Sequence, residues 1–115
     1  MYGTQNAALG VNSGAYSLGT NNLFLGANAQ NFKTNPNSSV NTTVPVKTDG
    51  ATVIGSGATT WGSDSIVMGT SAKTGPYGGS NSVVIGPNAQ SGTVAPTGTT
   101  PVGSTVVIGS GAVAN

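Results

Sequence analysis

The hydrophobic positions of this chain come in short, evenly spread clusters, of which the best formed is Asn81-Ser82-Val83-Val84-Ile85-Gly86-Pro87-Asn88-Ala89. Relatives of it stand at residues 22–29 (Asn-Leu-Phe-Leu-Gly-Ala-Asn-Ala), 51–58, 65–72 and 105–112. Each reads as a small or polar residue, three mostly apolar residues, Gly, two turn-formers and Ala. Apolar-Gly junctions recur seven residues apart, from Gly19 to Gly26, Gly55 to Gly62, Gly62 to Gly69 and Gly79 to Gly86. A full unit is then fourteen residues with two short strands, each closed by a turn, and such a period marks a solenoid. The pattern predicts an all-β chain built as a β-solenoid of about 14-residue coils.

This register covers residues 1–115 as a single domain. Residues 37–50 read as a degenerate coil, in which Asn41 stands at the glycine position; Asn is the non-glycine residue best suited to a left-handed backbone. Loop insertions at 73–79, with Gly75-Pro76-Tyr77-Gly78, and at 93–103, with Pro96 and Pro101, lengthen two coils. Both fall in the second half of a coil, so both are expected to protrude from the same side.

Side chains alternate along a strand, so Val83 and Ile85 share one face and Val84 takes the other. The expectation is that the paired positions fill the coil, with Leu25, Ile54, Ile66, Met68, Val83, Ile85, Val106 and Ile108 as its core. The middle residues Ala8, Phe24, Val53, Val67, Val84 and Val107 would then form an outward apolar stripe. A strand apolar on both faces is normally covered on both sides, and an exposed contiguous stripe invites association. Self-association is the expected completion of the fold.

Composition narrows the function. Gly, Thr, Ser and Asn make up more than half of the 115 residues; alone they would suggest a disordered linker, but the repeating apolar triplets argue against it. Lys33, Lys47, Lys73, Asp49 and Asp64 are the whole charge inventory, with no Arg, Glu, His or Cys. A basic nucleic-acid patch is thereby excluded. Asp49 and Asp64 lie in different coils and have no His, Glu, Cys or Arg to work with, so no catalytic residue and no enzyme are expected. No Asp recurs at a fixed register, so no metal or cofactor site is expected either. No apolar run is long enough to span a bilayer, and no signal-peptide pattern opens the sequence.

The repeat resembles the head repeat of YadA-like trimeric autotransporter adhesins. The motif of that family, Asn-Ser-Val-Ala-Ile-Gly-x-x-Ser/Ala, matches residues 81–89 at all but the fourth position and is matched closely at 65–72 and 105–112. The resemblance implies a left-handed parallel β-roll, a homotrimer packed around a common axis, and attachment to an extracellular matrix protein or a cell-surface glycan, at the bacterial cell surface or outside the cell. Valine or Phe24 stands where the family has a small middle residue. A phage or virion tail-fibre segment with the same repeat, or a purely structural filament subunit, would share this architecture and also bind without chemistry.

Trp61 lies on the phase opposite Ala58 and Thr60 and should point away from the coil interior. It is either an aromatic anchor for a ligand or a rim residue covering a neighbouring chain. Together with Tyr77, Thr97 and Thr99 from the inserted loops it forms the candidate ligand surface, since protruding loops on a rigid scaffold often carry recognition.

Overall fold

The structure, a computed structural model, describes residues 4–15, 19–31, 48–75, 80–92 and 104–114. Strands of three residues alternate with strands of two: β1 (Ala7–Leu9), β2 (Leu23–Leu25), β3 (Gln30–Asn31), β4 (Thr52–Ile54), β5 (Thr59–Thr60), β6 (Ile66–Met68), β7 (Lys73–Thr74), β8 (Val83–Ile85), β9 (Gln90–Ser91), β10 (Val106–Ile108) and β11 (Val113–Ala114). The longer strands form one sheet in the order β1-β2-β4-β6-β8-β10 and the shorter ones a second, β3-β5-β7-β9-β11. Every strand pair is parallel, and there is no helix among the described residues. The architecture is all-β with two parallel sheets, an arrangement compatible with a β-roll.

Parallel neighbours need a crossover connection. Here, from β2 onward, each crossover carries a strand of the other sheet. From β2 onward every short strand begins seven residues after the long strand it follows. The chain therefore turns two corners per repeat, and the two are built differently.

At the first corner a glycine follows the long strand: Gly10, Gly26, Gly55, Gly69, Gly86 and Gly109, all with φ between 125° and 136°. Only glycine adopts that region without strain. Two residues on, a left-handed residue completes the turn, namely Asn12, Asn28, Gly57, Ser71, Asn88 or Gly111. The turn closes where the next amide donates back to the glycine carbonyl, as Ala72 N to Gly69 O at 3.2 Å and Ala89 N to Gly86 O at 3.1 Å.

The second corner returns the chain to the long-strand sheet. A left-handed residue stands two places before each long strand, Gln5, Asn21, Gly50, Asp64, Asn81 or Ser104. The residue after it donates and accepts along the stack. Asn22 N donates to Asn6 Oδ1 (2.9 Å), Asn22 Nδ2 to Thr48 O (2.8 Å) and Ala51 N to Asn22 Oδ1 (2.8 Å). Ser82 and Thr105 continue the column with longer bonds, Ser82 N to Ser65 Oγ at 3.3 Å and Thr105 N to Ser82 Oγ at 3.4 Å.

The degenerate coil expected at residues 37–50 falls mostly on residues that lie outside the described ones, and strand register fixes only what flanks it. Phe24 lies opposite Val53, and Gln30 opposite Thr59. The repeat that begins with β2 therefore pairs directly with the one that begins with β4. Residues 48–50 belong to the second corner leading into β4, where Asp64 N donates to Asp49 O at 2.8 Å. Residues 37–47, the insertion at 93–103 and most of that at 73–79 lie outside the described residues.

The face assignment is reversed. Phe24, Val53, Val67 and Val84 are 0% exposed and Val107 5%, so the middle residues fill the interior rather than an outer stripe. Ala8, the middle residue of the edge strand β1, is exposed. Opposite the middle residues lie Ala29, Ala58, Ala72 and Ala89, together with Thr60, Thr74 and Ser91, all buried. The eight residues expected as the core face outward instead: Leu25, Ile66, Met68, Val106 and Ile108 are exposed, and Ile54, Val83 and Ile85 are half-buried. The physical reason is width. A short strand offers one inward side chain, and with the corner alanine it leaves room for a single aliphatic group on the facing long strand.

Candidate functional site

Reversing the faces creates an aliphatic wall on the outside of the long-strand sheet. The outward positions of the long-strand sheet form two columns, Ala7-Leu23-Thr52-Ile66-Val83-Val106 and Leu9-Leu25-Ile54-Met68-Ile85-Ile108, aligned by the strand register. Leu9, Val106 and Ile108 are 71%, 69% and 67% exposed. Thr52 is the one polar side chain on this wall. The charged residues that the structure describes lie elsewhere: Lys73 in the second sheet, Asp49 and Asp64 at the second corner. Contiguous exposed apolar surface of this kind marks an interaction site.

The wall was missed because both faces of a Val-Val-Ile strand are apolar, and alternation separates them without ranking them. A signal was present in the sequence: the repeated Ala and Thr of the second half-unit are too small to line a wide interior.

The second corner is the other notable surface. Five residues separate β5 from β6, eight separate β7 from β8, fourteen separate β9 from β10 and twenty separate β3 from β4, and all of this variation falls at that corner. Trp61 is half-buried there, with its backbone N–H donating to Thr74 Oγ1 at 2.8 Å. The Thr60 and Thr74 hydroxyls lie 3.1 Å apart inside the roll, and Thr60 Oγ1 also donates to Gly62 O at 3.2 Å. This hydroxyl column holds the strand end from which Trp61 projects. Tyr77, Thr97 and Thr99, the other members of the expected ligand surface, lie outside the described residues.

The Asp49 carboxylate has a structural role. Asp49 Oδ1 accepts from Thr20 N at 2.7 Å and from the Thr20 hydroxyl at 3.1 Å, tying one second corner to the next. No group of three or more His, Cys, Asp or Glu that could hold a metal occurs among the described residues. Comparison with protein families, with curated proteins and with solved structures gave no match in any of the three.

Proposed function

We propose that this chain is a non-enzymatic, homotrimeric surface-attachment module, folded as a left-handed parallel β-roll and acting at a bacterial cell surface or outside the cell. The observation that carries the assembly is the aliphatic wall on the long-strand sheet. It is uncharged, and its repeats are spaced as they are in any other copy of the chain, so a second and a third copy match it rung for rung. Burying each larger aliphatic side chain contributes about 1.5 to 3 kcal/mol, and the wall offers many of them at once. The number three, the handedness and the attachment role come from the likeness of residues 81–89, 65–72 and 105–112 to YadA-like heads. Assembly through the wall does not use the second corners, and the half-buried Trp61 there is the proposed contact for a matrix protein or a surface glycan.

Mass measurement in solution, paired with two substitutions one residue apart, tests this reading. Val83→Asp puts a charge on the wall and should yield folded monomers. Val84→Asp puts it in the interior and should unfold the chain itself. Thr59→Asp, outward on the short-strand sheet, should leave both fold and mass unchanged. A wild-type chain that is monodisperse as a monomer at micromolar concentration would overturn the assembly. Binding of the trimer to matrix-coated surfaces or a glycan array, weakened by Trp61→Ala, tests the attachment role.

A further inference from the structure

We infer that Thr52 sets the register of the assembly; the inference rests on the proposed pairing of walls between copies of this chain. The wall repeats almost identically from one strand to the next, and repetitive strands specify register weakly. A copy displaced by one repeat along the axis would still set aliphatic side chains against aliphatic side chains along most of its length. Thr52 is where the displacement is felt. It sits in its column between Leu23 and Ile66, which are its direct neighbours in the sheet, and its own N–H is taken up by Ser65 O at 2.8 Å.

With copies in register, three Thr52 side chains meet at one height. Each hydroxyl can donate to one neighbour and accept from the other, closing a ring in which no polar atom is left bare. When one copy is displaced by one repeat, its hydroxyl instead faces Leu23 or Ile66 of the other two and is buried without a partner, and the ring is broken. A buried hydroxyl left unsatisfied disfavours that arrangement by about tenfold or more. A single polar position on an apolar seam selects the register of coiled coils in the same way, at some expense in stability.

The chain has no cysteine, so an introduced thiol is unique. Two full-length variants, Ile66→Cys and Val83→Cys, place thiols in the Thr52 column one repeat apart, since Ile66 and Val83 are register partners. Mixed, unfolded, refolded together and oxidised to disulfides, whose narrow geometry disfavours a partner one rung away, they report register by mass. In-register trimers give 66–66 links, 83–83 links and few mixed ones. On a Thr52→Val background the mixed 66–83 links should rise about tenfold or more, while Thr52→Ser should restore the wild-type pattern. Light scattering on each sample shows whether a trimer is present. A trimer whose links remain unmixed after Thr52→Val would overturn the role of Thr52 while leaving the assembly intact. A trimer giving neither kind of link would overturn it as well, because the Thr52 column would then not face its copies. A monomer would overturn the assembly and this inference together.

Discussion

The two corners of the repeat do the same geometric job by different means. The first is closed mainly by backbone, with a side-chain bond such as Ser13 Oγ to Phe24 O at 3.0 Å added at its edge. A Cβ added to Gly55 or Gly69 would come within 2.5 Å of the next repeat's glycine carbonyl oxygen, so successive first corners lie in backbone contact and their length does not vary. The second adds side-chain ties, the Asn6-Asn22 column and the Asp49–Thr20 bonds, to backbone bonds such as Gly50 N to Thr20 O at 2.9 Å. There the chain leaves and returns with five to twenty residues between strands. Close backbone stacking fixes the rise of the roll on one edge, and side-chain ties let the other edge accept inserted sequence.

An insertion of three residues between Gly69 and Thr70 should have the largest effect, abolishing the cooperative transition seen by circular dichroism, because it displaces the glycine stack on both sides. Gly69→Ala follows, with a loss of about 3 kcal/mol or more in denaturant unfolding. Gly109→Ala is its control: φ is 136° there, against 134° at Gly69, but the added Cβ meets nothing nearer than Ala112 Cβ at 3.6 Å. It should cost only backbone strain, about 1 to 3 kcal/mol, so the difference between the two variants measures the stacking contact. Equal losses would show that strain, rather than contact, makes the first corner invariant.

At the second corner the effects should be smaller. Asn22→Ala strips partners from Thr48 O and Ala51 N in a buried setting and should destabilise by about 1 to 3 kcal/mol. The same three-residue insertion placed between Trp61 and Gly62 should cost about 1 kcal/mol, measured as a shift in urea midpoint. A loss as large as that at Gly69 would remove the distinction between the corners.

The sequence by itself determined the repeat. The Gly-x-x-Ala phrase and the seven-residue offset follow from local backbone chemistry, and both are kept in the repeats that begin with β2, β4, β6, β8 and β10; Asn41, read from the sequence as a left-handed asparagine, lies outside the described residues. That the interior of the second half-unit holds Ala58 and Thr60 was legible for the same reason. Only the tertiary structure decided which face of each three-residue strand is inside. Alternation opposes Val84 to Val83 and Ile85, but both faces are apolar, and the choice depends on the width left by Ala89 and Ser91 across the roll. Only strand pairing could place β4 directly on β2, because a match in spacing carries no information about which backbone groups are already hydrogen-bonded. The same pairing turned a presumed core of Leu25, Ile66 and Ile108 into the exposed wall from which the assembly is argued.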